Sequence, residues 1–375
     1  MAGIYIHIPF CKQRCTYCDF YTEVASQFIP DLIDSIVKEL NIRKDYLQNS
    51  TVNTIYFGGG TPSILNHKQF NTIFDVIYNL FTVAIDAEIT FEANPDDLTI
   101  DYLSAMHSLP FNRISIGIQS FDDKDLKRIN RRHTSEQAVK AVRNAQIAGF
   151  DNISIDLIYG LPFQTLSNWE KQLDMAVLLK VQHISAYGLT YEEGTALWNQ
   201  RENGEIETID DSIMNEMYLM LRDKLIQYSF EAYEISNFAL PGFRSRHNSS
   251  YWKQEPYLGV GPSAHSYDLV SRQWNVSSIK QYNKAITENS SFFEKELLTL
   301  NDRYNDFVMV SLRTSEGIEL SQLEKEFGTE LMEYCLRNIK TFMDSEQVYY
   351  SEGKLRLTPQ GIQISNLILI QLMKV

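Results

Sequence analysis

The chain has 375 residues, 44% hydrophobic and 22% charged, with 17 Gly and 10 Pro; this suits a cored globular protein of two domains, or one large barrel with an appendage, and excludes disordered and fibrous classes. The 34 basic and 48 acidic residues leave a net charge of −14, which makes nucleic acid and anionic lipid poor default partners. No apolar run approaches the ~20 residues that span a bilayer, and the first residues lack the pattern of a signal peptide, so a cytoplasmic address is expected.

From residue 4 to about 235, short β-branched or aromatic runs alternate with helical patterns, which predicts βαβ units and a parallel sheet. Strands are predicted at residues 4–8, 54–57, 88–92, 113–117, 153–157 and 183–187, with helices at 28–45, 67–81, 135–148 and 168–179. A helix at 210–227 followed by a strand at 231–235 reads as a seventh repeat. Six units fall short of eight, so residues 1–236 are expected to form an incomplete (β/α)6 barrel, with a doubly wound sheet as the alternative.

Residues 237–298 begin with Pro241, Gly242, Pro256, Gly259, Gly261 and Pro262, and read as a loop-rich connection. Beyond it, helices at 302–313, 321–327 and 332–343, a hairpin near Gly353 and a helix from Pro359 predict a small, mainly helical, winged-helix-like domain over 299–375. Its 8 basic and 11 acidic residues form no basic stripe, which favours a structural or protein-contact role over binding nucleic acid.

Three of the four cysteines, Cys11, Cys15 and Cys18, fall within CKQRCTYC. Spacings this tight do not suit a disulfide framework, and clustered thiols in a cytosolic chain point to metal. Two occupants fit: zinc, with His7 as a fourth ligand, or a 4Fe-4S cluster whose fourth iron is open to a small molecule. Cys335, on an amphipathic helix, reads as a buried thiol.

In parallel β/α barrels functional residues gather at the carboxyl ends of the strands. The cysteine loop follows the first predicted strand and Gly58, Gly59, Gly60, Thr61 and Pro62 the second. Glu92 and Asn94 end the third, Gln119 and Ser120 follow the fourth, and Asp156 and Tyr187 close the fifth and sixth. Each alone is explained by a turn, a helix cap or the core, but together they mark one rim.

The motifs YIHIPFCKQRCTYCDF, FGGGTP, FEANP, GIQSF, NRRH and SIDLIYGLPFQT together resemble the radical S-adenosylmethionine (SAM) superfamily over nearly the whole chain. The resemblance is to the branch of oxygen-independent coproporphyrinogen III oxidase and the HemW-type haem chaperones. It implies that Cys11, Cys15 and Cys18 hold a 4Fe-4S cluster whose open iron takes SAM, for cleavage to a deoxyadenosyl radical. It further implies that Gly59, Gly60 and Thr61 meet the methionyl amino group, that Glu92, Gln119, Arg131 and Asp156 contact SAM, and that Tyr5 lies near the cluster.

Two departures separate the relatives. The oxidase pattern carries a further cysteine two positions after the third, where this sequence has Phe20, and only ten residues precede Cys11 in place of the oxidase's N-terminal extension. Conversely, HNSSYW at residues 247–252 matches an HNXXYW motif associated with haem, which implies haem contact by His247, Tyr251 and Trp252. The implied function is a haem chaperone that delivers haem to acceptor respiratory haem proteins, with membrane contact at most peripheral and a homodimer compatible with the role. The alternative is a coproporphyrinogen III oxidase, which removes two propionate carboxyls by radical chemistry. His265 reads as a hydrogen-bonded structural histidine as readily as a site residue.

Overall fold

A computed structural model of the chain describes residues 1–374. Six strands, β1 (Ala2–Ile8), β2 (Val52–Gly59), β3 (Val83–Ala93), β4 (Arg113–Gln119), β5 (Ile153–Tyr159) and β6 (His183–Gly188), pair in parallel in chain order. The helices between them include Ile29–Ile42, His67–Leu80, Ser135–Ile147 and Leu166–Leu178. Three of these have side-chain caps: Asn66 and Thr134 open capping boxes with Gln69 and Gln137, and Thr165 accepts from Asn168 N.

Alternation along the strands sorts their side chains onto two faces. Ile4, Ile6 and Ile8, with Ile55, Phe57, Ile89, Phe91, Ile114, Ile116, Ile153 and Ile155, are buried in the main core. The intervening residues, among them Tyr5, Tyr56, Thr90, Glu92, Arg113, Ser115, Asp156 and His183, share the opposite face. The barrel is therefore apolar outside, under its helices, and polar within.

After β6 the rhythm changes. The helix Asp211–Gln227 leads to β7 (Glu231–Ala232), which pairs antiparallel with β8 (Asn237–Ala239), itself antiparallel to β6. The expected seventh parallel unit is thus replaced by an edge hairpin, because the chain reverses at once after a two-residue strand. At the other edge β9 (Tyr257–Val260) runs parallel to β1, and β10 (His265–Tyr267), β11 (Ser271–Asn275) and β12 (Phe293–Leu297) continue antiparallel. The result is one 12-stranded sheet in the order β12-β11-β10-β9-β1-β2-β3-β4-β5-β6-β8-β7.

Residues 237–298 are therefore not a connection between domains. They supply strands at both sheet edges, and Leu258, Val260, Ile279 and Tyr282 belong to the same core as the barrel. The glycines there mark close packing: a Cβ on Gly259 would lie 1.9 Å from the carbonyl oxygen of His265. A buried polar knot reinforces the junction. Glu39 and Arg43 on the first helix form an ion pair, Glu39 accepts from Asn275 Nδ2, Gly261 N and the Tyr282 hydroxyl, and Arg43 donates to Gly259 O, Ser266 and Gln273.

The C-terminal region has a second core, with Tyr304, Phe307, Leu323, Cys335, Ile339 and Leu369. It combines the helix Leu300–Leu312, a long helix Leu320–Asp344 broken at Gly328 (φ 85°, ψ 165°), the hairpin Val348–Ser351 and Lys354–Leu357, and two terminal helices.

Candidate functional site

The carboxyl ends of β1–β6 open on a cavity of about 630 Å³, lined by Cys11, Cys15, Cys18, Gly59, Gly60, Thr61, Glu92, Gln119, Arg131 and Asp156. The cysteine loop is anchored on several sides. Cys11 N donates to Glu23 O at 3.0 Å, Thr16 N to Ile129 O at 3.1 Å and Gln13 Nε2 to Asn130 Oδ1 at 2.6 Å, and Lys12 pairs with Asp97. Gly60 sits against this segment: its N–H donates to Ile8 O at 2.9 Å, and a Cβ would lie 2.7 Å from Phe10 O.

Thr61 Oγ1 donates to Cys11 Sγ at 3.4 Å, and Arg131 Nη1 to Cys15 Sγ at 3.6 Å. Burial pushes the Cys11 thiol up, opposed by the Thr61 bond, and pushes Cys18 up to about 11. Among the described residues no three His, Cys, Asp or Glu side chains converge as ligands of one metal ion. A single zinc ion needs its donors within ~2.3 Å of one point, whereas a cubane offers each thiolate its own iron; the three thiols line one cavity. His7 does not complete a zinc set. It is buried, its Nδ1 lies 3.0 Å from the Tyr5 hydroxyl, and it is not part of the cavity wall.

Two carboxylates form the floor. Glu92 accepts from the Tyr56 hydroxyl at 2.8 Å and from Gly59 N at 3.2 Å. Burial and the neighbouring charge of Asp156 push Glu92 up to about 7, against the pull of Tyr56 and Gly59. Asp156 accepts from Ser115 Oγ at 3.3 Å and is likewise raised by burial. Gln119 ends β4 with φ 68°, in the left-handed region where a non-glycine residue is strained. Arg131 donates to Asn94 Oδ1 and Gly117 O, while its buried Nε has no partner. An arginine nitrogen left over beside two carboxylates and three thiols fits a ligand that is zwitterionic and bound next to a cluster.

Tyr5 lies beneath this floor. Its hydroxyl meets His7, its ring stacks on Tyr56 at 6.1 Å, and it does not line the cavity.

HNSSYW lies at the opposite end of the barrel from the cysteines. It forms the helix Arg246–Trp252, whose first amides, Arg246 N and His247 N, donate to the Glu88 carboxylate at 3.0 and 2.9 Å. His247 is 1% exposed and stacks on Tyr56 at 4.9 Å. Its Nδ1 is bonded to Thr54 Oγ1 and its Nε2 to the Tyr251 hydroxyl, both at 2.8 Å. With both ring nitrogens engaged, the imidazole has none free for an iron, and burial lowers it to about 3, so it stays neutral. Trp252 Nε1 is buried without a partner. As folded, His247, Tyr251 and Trp252 belong to a plug that seals the amino-terminal mouth of the barrel.

Tyr56, Ser115 and Asn94, which orient the site, were not among the residues singled out for SAM. The signal for the first two was present in the period-2 spacing of polar residues on β2 and β4.

A family model described as the radical SAM superfamily matches residues 5–176, and one described as the HemN C-terminal domain matches residues 298–364. The haem chaperone HemW of Lactococcus lactis is 32% identical over 363 residues, 96% of this chain and 94% of its own. The chain belongs to the HemW family of radical SAM proteins. HemW of Bacillus subtilis is also 32% identical, over 98% of this chain and 97% of its own, and that of Escherichia coli 36% identical over 70% and 69%. Among solved structures, the coproporphyrinogen III oxidase HemN of E. coli superposes with a TM-score of 0.86 at 22% identity, covering 100% of this chain and 90% of that one, which shows a shared fold. The family implies a 4Fe-4S cluster and SAM, and the thiols, carboxylates and arginine of the cavity fit them. Among the described residues of this HemW-family chain, no helix is long and apolar enough to cross a membrane.

Proposed function

We propose that the protein binds haem and passes it to acceptor haem proteins, and that Cys11, Cys15 and Cys18 hold a 4Fe-4S cluster beside a SAM site. The carrying observation is identity of 32% to haem chaperones along nearly the full length of both chains. Phe20 supports this reading, because the oxidase pattern has a cysteine there. When bound, the cluster and SAM supply one-electron chemistry at a sulfonium.

The chain's own residues do the rest. Gly59 and Gly60 let backbone approach the ligand closely, Glu92 and Asp156 offer negative charge to ammonium, sulfonium or ribose hydroxyls, and Arg131 offers a guanidinium to a carboxylate. Tyr5 supports the floor through Tyr56, and Gln119 presents its side chain at the rim. Phe20 and Tyr187, 63% and 44% exposed, line the same cavity and offer ring faces to a porphyrin. Contact of His247 with haem iron would first require release of its helix. The proposed setting is the cytoplasm, with any membrane contact peripheral.

Anaerobic reconstitution followed by haem titration tests the proposal. The expected result is saturable haem uptake by cluster-loaded protein, weakened by about tenfold in Phe20→Ala/Tyr187→Ala, at about 0.5–1.5 kcal/mol for each ring. No haem uptake with the cluster intact, or formation of protoporphyrinogen from coproporphyrinogen with SAM and reductant, would overturn it.

A further inference from the structure

Arg113 is the first residue of β4, and it is 1% exposed. Its Nε and Nη1 have no hydrogen-bond partner among the described residues. A guanidinium buried so completely, with its Nε and Nη1 both unmatched, is costly unless something nearby answers its charge.

Strand register shows what that is. Arg113 is paired with Thr90 on β3, and Ser115 with Glu92. Residues two apart on a strand share a face, so Arg113 stands one side-chain layer beneath Ser115 and Glu92. Ser115 in turn donates to Asp156. The arginine therefore underlies both carboxylates of the cavity floor without touching the cavity, whose wall does not include it. Thr90 Oγ1, beside it, is also without a partner, so no local hydrogen bond replaces the missing ones.

We propose that Arg113 is a positioning residue of the SAM site: a buried cation that acts through the field of the barrel interior to keep the Glu92–Asp156 floor anionic for a cationic ligand. This inference rests on the SAM-site reading above. The physics is that of a charge in a low-dielectric interior, where screening by water is weak and an effect reaches across a layer of side chains. Glu92 and Asp156 are both raised by burial, Asp156 also raises Glu92, and Arg113 opposes both shifts. The other groups that face Glu92 are the phenols Tyr5, Tyr56, Tyr187 and Tyr251, all raised and so neutral across the working range, while Arg131 lines the same cavity and also opposes the shift of Asp156. The ionisation of Glu92 is therefore set by Asp156 against Arg113 directly, with Arg131 acting through Asp156.

Two measurements test the proposal. In cluster-loaded protein, the pH midpoint of SAM binding is expected to rise by about one unit in Arg113→Gln, a loss of about tenfold in affinity below the midpoint that narrows at higher pH. Arg113→Lys, which keeps the charge, restores most of it. A purely structural role would weaken binding equally at every pH, and that result would overturn the proposal.

The second measurement uses cluster-free protein and no SAM, so it stands apart from the SAM-site reading. In a thermal-unfolding cycle of wild type, Glu92→Gln, Arg113→Gln and the double variant, the coupling between the two positions is expected to grow as pH rises through about 7, where Glu92 ionises. Coupling that is absent or independent of pH would overturn the proposal, whereas wild type that shows the coupling but binds no SAM would overturn the SAM-site reading alone. Should Arg113→Gln fail to fold, recovery of folded protein in the double variant supports the proposal, and failure of both refutes it.

Discussion

Glu92 shows how one side chain links the site to the stability of the whole chain. Its folded pKa, about 7, lies above the ordinary 4.5 of a glutamate, so the folded state binds the proton more tightly than the unfolded state does. The associated stability is present below pH ~4.5 and is lost as pH rises through about 7, with a full span on the order of 3 kcal/mol. Buried histidines act in the opposite sense: His7, lowered to about 4, and His133 and His247, lowered to about 3, contribute stability above their ordinary value of 6.5 that is lost as pH falls. The measurement is therefore a difference. Relative to wild type, Glu92→Gln is expected to gain stability as pH rises from 4.5 to 7 in cluster-free protein; a flat difference would remove Glu92 from this role. Gly60 supplies a second expectation at this scale. Gly60→Ala sets a methyl against the Phe10 carbonyl, so it should cost about 1–3 kcal/mol and lower cluster content measured by iron and sulfide analysis. Glu92 and Gly60 were legible as residues at strand ends. Arg113 was not, because it sits at the opposite end of its strand and acts from underneath.

At the scale of elements, the Arg246–Trp252 helix is a motif whose residue types serve packing in the folded chain. Histidine, tyrosine and tryptophan in one hexapeptide have the chemistry for haem, but the same groups satisfy one another and Thr54 inside the barrel. His247→Ala removes two buried hydrogen bonds and a stacked ring, and should cost about 2–4 kcal/mol, read as a lowered midpoint in denaturant. Haem uptake per folded chain is expected to stay at the wild-type level; its loss from the folded fraction would mean that the helix opens. The parallel strands β1–β6 were readable because alternating runs of apolar residues between capped helices leave few other interpretations. The strands from β7 onward were not, since they are two to five residues long and several are flanked by glycine and proline. In such strands pairing with distant partners, rather than local pattern, decides the conformation.

At the scale of the molecule, the Glu39–Arg43 knot joins the first helix to the sheet extension, and removing one member leaves the other charged and buried. Arg43→Met is expected to cost about 3–5 kcal/mol, and Glu39→Gln/Arg43→Met to recover part of that loss. Equal stability of the single and double variants in urea would show that the ion pair is not what holds the extension. The general architecture was legible from the count of β/α units, but the unity of the barrel with residues 237–298 was not, because it depends on β9 lying beside β1.

That adjacency bears on how the chain matures. The strand leading into the thiol loop keeps one ribbon edge bare until its neighbour, about 250 residues downstream, has emerged from the ribosome. The contacts that hold the cysteine loop, from Glu23, Asp97, Ile129 and Asn130, all come from residues made before that neighbour. A product truncated ahead of residue 257 would therefore keep every one of those loop contacts and lose the pairing that covers the outer edge of β1.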